Sequence, residues 1–135
     1  MKLKYPYGLK YSSDIGNVLT IRIFLNIESP KGPEPFSFLF DTGADVTSLP
    51  AYVAEKLGIE LKKCPKDEMT GYEGTTVLVY RSKIKLHFNK QIIQIPCVFH
   101  PNEDVPILLG RAGILDKFTI TLDGKKKIAV FEQIN

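Results

Sequence analysis

No stretch of this 135-residue chain approaches 18 consecutive apolar residues, which excludes a membrane-spanning helix. The first six residues lack the apolar core of a secretory signal, so a soluble, cytoplasmic protein is expected. Cysteine is scarce. Cys64 and Cys97 stand far apart, no Cys-x-x-Cys pair exists, and both are expected as reduced thiols. A large charge of one sign is missing too. The net charge is +3, and Lys125-Lys126-Lys127 follows Asp123-Gly124, a favoured hairpin turn. No aromatic-interleaved basic stripe accompanies that run, so nucleic acid is not an expected partner, and neither is a membrane. A zinc site would have to draw on Cys97-x-x-His100 with Cys64 and His87. Strong zinc spacings come in close pairs, and Cys97 reads better as filling a small core gap. No metal and no other cofactor is expected.

What is present is patterned for sheet. Hydrophobic residues make up 44% of the chain, enough for the core of one domain over residues 1–135. Leu19, Ile21, Ile23, Leu25 and Ile27 alternate with Thr20, Arg22 and Asn26, a period of two that marks a half-buried strand. Three prolines between 30 and 35 cannot continue a sheet, so they form a connection. Ile84, Leu86 and Phe88 mark another strand, and Phe118, Ile120 and Leu122 a third. Two short helices are expected. One opens at Thr47-Ser48-Leu49-Pro50 and closes at Gly58, with Val53 and Leu57 inward. The other spans 111–117, with Ile114, Leu115 and Phe118 as its apolar side. Residues 62–68 read as a polar surface loop. The tyrosines at 5, 7 and 11 pack either on the domain or on a partner subunit, and the sequence leaves both open.

One stretch stands out chemically. Phe38-Leu39-Phe40 is an apolar run suited to a buried strand, and it leads directly into Asp41. Thr42 and Gly43 then turn the chain. A carboxylate beside a dry core is costly unless something employs it. Ala44 and Asp45 follow. A second continuous apolar run, Ile107-Leu108-Leu109, ends in Gly110-Arg111 and reads as a strand buried on both faces. The order of strand, apolar run and short helical segment thus occurs twice. Gly71 and Gly74 flank Tyr72 ahead of a β-rich run, suggesting a mobile hairpin.

Asp41-Thr42-Gly43-Ala44-Asp45 together with Ile107-Leu108-Leu109-Gly110-Arg111 resembles the retropepsin-like aspartic proteases, the family of the retroviral proteases and their cellular relatives. The resemblance covers roughly residues 18–131. It implies an all-β fold, a closed β-barrel-like domain with a flap hairpin and two short helices. Pepsin-like enzymes carry two such Asp motifs, and this chain has one, so the resemblance implies a homodimer that joins two copies of Asp41 on a two-fold axis. It makes Asp41 the catalytic carboxylate of an endopeptidase. Thr42 would lock the paired loops, and Gly43 would let the backbone approach. Ala44 and Asp45 would line the bound peptide, with Asp45, read as partly buried, paired to Arg111. Gly71, Tyr72 and Gly74 would belong to the flap. Leu109 and Gly110 would support the site from beneath. The terminal segments do not match the retroviral dimer strands.

Two other functions fit parts of this pattern. A domain of this kind can also serve as a non-cleaving peptide-binding or dimerisation module, since fold does not fix function. Glycoside hydrolysis also uses two carboxylates but needs an inequivalent acid and base, and nothing in the sequence marks the second.

Overall fold

The computed structural model describes residues 2–70 and 74–134. Ten strands follow in order: β1 (Lys2–Ser12), β2 (Gly16–Ser29), β3 (Gly32–Phe40), β4 (Thr47–Pro50), β5 (Lys66–Thr70), β6 (Thr76–Phe88), β7 (Gln91–His100), β8 (Leu108–Leu109), β9 (Phe118–Asp123) and β10 (Ile128–Gln133). Among the described residues, one α-helix, α1 (Ala51–Lys56), follows β4, and a single 3-10 turn covers Leu61–Lys63. The all-β expectation is met.

Hairpins build most of the sheet. β2 pairs antiparallel with β3 from Arg22↔Leu39 to Ser29↔Gly32, and β6 with β7 from Tyr80↔Phe99 to Phe88↔Gln91. Between these hairpins lie two short strands placed by parallel pairing. β8 lies beside β3 and β4 beside β7, and β4 and β8 meet at Ser48↔Leu108. A contact between β2 and β6, Asn26↔His87 and Ile27↔Leu86, returns this set of pairings to its start. The alternation read from the sequence fills the interior: Ile23, Ile27, Phe38, Leu49, Leu86, Phe99 and Leu109 are fully buried. Phe131 on β10 gathers Tyr5, Phe40 and Phe118 edge-on at 5.3–5.7 Å between ring centroids, the favoured aromatic geometry.

Three expectations are corrected. Thr47–Pro50 is a strand and not the opening of a helix, because its backbone is claimed by β7 and β8, about 50 to 60 residues away in sequence. The helix begins one residue after Pro50 and does close at Gly58 (φ 72°). The Gly58 and Ile59 N–H groups donate to the Glu55 and Ala54 carbonyls, satisfying the last free acceptors. The second helix does not form. Residues 111–117 are successive turns, because Gly113 sits at φ 79°, outside helical space, and Leu115 is 44% exposed. The polar segment 62–68 carries the 3-10 turn and the start of β5, whose pairing with β6 owes nothing to apolar alternation. The N-terminal residues form a full strand, in which Tyr5 and Tyr7 pack on the core and Tyr11 is 73% exposed.

Cys97 is buried and unpaired, as its gap-filling role requires, and burial pushes its thiol up to about 12. Cys64 is also unpaired and is half-buried.

Candidate active site

The chain reaches Asp41 on a rail. Phe38 and Phe40 point into the core, while the Leu39 N–H donates to the Ile107 carbonyl (2.8 Å) and the Asp41 N–H to the Leu109 carbonyl (3.0 Å). The parallel β3–β8 ladder thus extends one residue past β3 and fixes the Asp41 backbone. Its side chain is half-exposed, one residue past the buried Phe40 and its ladder partner, the buried Leu109.

A tight turn follows at once. The Ala44 N–H donates to the Asp41 carbonyl (3.1 Å), and the Gly43 N–H donates to Asp41 Oδ1 (2.9 Å). The carboxylate therefore closes its own loop, as Asp does in Asx turns. Gly43 does not have a positive φ; a Cβ at this position would stand 3.2 Å from Asp41 Oδ1, a tight contact that the side chain would have to yield to by a few tenths of an ångström. One carboxylate oxygen is occupied by the loop, and the other has no donor among the described residues.

Residues 110–112 clamp the loop from behind. The Arg111 and Ala112 N–H groups donate to the Ala44 and Asp45 carbonyls, both at 3.0 Å. The Gly110 N–H donates to the buried Thr47 Oγ1 (3.1 Å), while Arg111 Nη1 donates to the Thr42 carbonyl (3.2 Å). Arg111 Nη2 also pairs with Asp45 Oδ1. Gly110 lies flat against the backbone of 46–47, where an added Cβ would come within 2.8 Å of the Thr47 nitrogen and closer still to the Val46 carbonyl. Two distant segments are thereby held backbone to backbone. Asp41, Thr42, Gly43, Ala44, Asp45, Leu109, Gly110 and Arg111 all meet in one place.

The Asp45–Arg111 pair is present, but Asp45 is not partly buried. Its side chain is 85% exposed and that of Arg111 43%, because the loop lies at the surface until Thr47 turns inward. Exposed ion pairs contribute little, so Arg111→Ala is expected to cost only about 1 kcal/mol, shared between the ion pair and the bond to Thr42. Thermal melting would test this. A fall of about 4 °C is expected, and a fall beyond ~10 °C would contradict the exposure argument.

The remaining candidates lie elsewhere or outside the described residues. Gly71 and Tyr72 are outside them. Gly74 sits at φ 80° in the β5–β6 connection, with open space around it. Thr47 was not singled out from sequence, because a threonine in a Thr-Ser-Leu-Pro run gives no local sign that its hydroxyl will hold a glycine 63 residues away. Beside Asp45 and Val46 opens a cleft of about 790 Å³, walled by Pro65, Met69, Cys97 and Val98 and rimmed by Arg81 and Lys83. Among the described residues no group of three or more His, Cys, Asp or Glu is placed to hold a metal. His87 Nε2 lies 2.6 Å from Glu28 Oε2, hydrogen-bonded to it. No described helix is long and apolar enough to cross a membrane.

Comparison with known proteins agrees with this geometry. A family model described as gag-polyprotein putative aspartyl protease matches residues 31–113, the stretch that holds both the Asp41 loop and its clamp. Among solved structures, a retropepsin-like aspartic protease from Rickettsia conorii matches with a TM-score of 0.66 and 17% identity, over 97% of this chain and 90% of that one. At that identity the likeness establishes the retropepsin-like fold. No curated protein matches the chain.

Proposed function

Because the chain belongs to the gag-polyprotein putative aspartyl protease family, we propose that it is an endopeptidase that works as a homodimer, with two copies of Asp41 joined across a two-fold axis. The observation carrying this is the setting of Asp41. Its backbone is fixed by Leu109, one carboxylate oxygen is held by Gly43, the other has no donor among the described residues, and the strand that delivers it ends in the buried Phe40. A single such carboxylate has neither a paired acid nor a paired base. A second copy supplies the missing group.

Two carboxylates roughly 3 Å apart cannot both ionise, so they hold one proton between them. The ionised member takes a proton from a water molecule. The water oxygen attacks the scissile carbonyl carbon as the neutral member protonates the carbonyl oxygen, giving a tetrahedral diol. The first carboxyl then passes its proton to the amide nitrogen, and the second carboxylate takes one proton back from a diol hydroxyl as the C–N bond breaks, leaving a carboxylic acid, a free amine and the pair again with one proton. No covalent enzyme intermediate is involved.

The other residues take supporting parts. Thr42, exposed at the loop tip, meets its counterpart in the second copy. Ala44 and Asp45 bind the substrate backbone, and the cleft beside Asp45 and Val46 receives a substrate side chain. The β5–β6 hairpin, with Gly74 in its connection, acts as a flap that closes over the peptide and excludes water.

Incubation with a diverse peptide pool, followed by sequencing of new termini, tests the reading. Cleavage is expected to peak below neutral pH, because one proton must remain on the pair. A rate still rising at pH 9 would contradict the shared-proton mechanism. Peptides retained but never cut would leave a binding module.

A further inference from the structure

The apolar face of β2 runs out past the end of the core. Ile23, Leu25 and Ile27 are buried at 0–4%, Ile21 is half-buried, and Leu19 on the same face is 48% exposed. β1 behaves in the same way. Leu3, Tyr5 and Tyr7 pack on the core, whereas Leu9 and Tyr11 are 69% and 73% exposed. The pairs Tyr7↔Ile21, Leu9↔Leu19 and Tyr11↔Asn17 put these side chains on one side of a two-stranded arm, and Ile15 at its tip is 74% exposed. An arm of only two strands has nothing of its own to cover such a face.

Register fixes where this arm points. The β2–β3 ladder runs to Arg22↔Leu39, so continuing it sets Ile21 opposite Phe40 and Thr20 opposite Asp41. Residues 16–20 of β2, with 8–12 of β1, therefore extend beyond the edge of the sheet from which Asp41 emerges. At about 3.3 Å per residue the overrun is roughly 16 Å.

We propose that the β1–β2 arm grips a second copy of this chain, Leu9, Tyr11, Ile15 and Leu19 of each arm being covered by the other subunit. This rests on the reading that two Asp41 groups are brought together. A subunit placed against the Asp41 edge lies within the reach of the arm, and two-fold symmetry makes the embrace reciprocal. The four side chains offer on the order of 500 Å² per copy, against the roughly 800 Å² per partner of a standard stable interface. The apposed catalytic loops supply the remainder. The termini are not needed for this contact in the retroviral manner, since β10 is already paired within its own chain to β1 and β9.

The test uses two arm variants, Leu9→Ser with Leu19→Ser, and Tyr11→Ser with Ile15→Ser. Each changes only exposed side chains, and circular dichroism should match the wild type. Sedimentation equilibrium is expected to show the dimer dissociation constant raised at least 100-fold, with cleavage at nanomolar chain lost in proportion. A tandem fusion of two copies carrying the same substitutions should cut within threefold of the wild-type fusion. Dimerisation of both variants at wild-type strength would overturn the arm while leaving the proposed function intact. A wild-type fusion that does not cut would instead remove the shared-carboxylate reading, and the basis for the arm with it.

Discussion

Asp41→Asn is expected to abolish peptide hydrolysis, by ~10⁴-fold or more, while the fold and the dimer persist. The asparagine side chain keeps the shape of aspartate, and its Oδ1 still accepts the Gly43 N–H that closes the loop. What it loses is the capacity to take a proton from water or return one to the leaving amine. Stability should not fall. On the proposed dimer a pair of carboxyl groups must keep a proton to sit side by side, and neutral amides remove that requirement. The variant should therefore melt at or slightly above the wild-type temperature while showing no new termini in the peptide pool. A tandem fusion with the substitution in one half sharpens the result, because a mechanism resting on a coupled pair requires that it too be inactive. Normal turnover by either protein would remove Asp41 from the chemistry.

Gly110→Ala is expected to give the largest loss of stability of any single methyl addition near the site. The added Cβ would collide with the backbone of Val46 and Thr47, and not with the flexible end of a side chain. Backbone there cannot yield cheaply, because β4 is held between β7 and β8 and the Gly110 N–H is bonded to Thr47 Oγ1. Separating the strands would strand that buried donor as well. Overpacking of this kind costs about 3 kcal/mol or more, a fall of ~10 °C in melting temperature for a chain of this size. Activity should fall further than stability, since the same displacement carries Leu109 and the Asp41 amide it holds. A variant that melts within 2 °C of the wild type would show that the 110–112 clamp is looser than its geometry implies.

Much of the site could be read along the chain because its components are consecutive. Phe38-Leu39-Phe40 announced a buried strand, Asp41 its unusual end, and Gly43 the turn. Ile107-Leu108-Leu109-Gly110-Arg111 declared itself the same way, and its contact with the Asp41 loop was implied by resemblance. The misplaced elements have a common cause. Thr47–Pro50 looks like the start of a helix when only its neighbours are considered, and it becomes a strand because partners on β7 and β8 supply its hydrogen bonds. Residues 111–117 carry helical spacing, but the backbone at Gly113 is set by its close approach to Ile95, where a Cβ would stand 2.8 Å from that side chain.

Strand alternation and the apolar run that ends at Asp41 were legible along the chain, because each depends on residues adjacent in it. Tertiary structure alone decided where the core stops. Leu19 and Ile23 are indistinguishable in an alternating pattern, yet one is 48% exposed and the other fully buried. Asp45, read as partly buried, is instead open to solvent. Periodicity records which side of a strand is apolar, whereas burial depends on what the rest of the chain, or a second copy of it, places against that side.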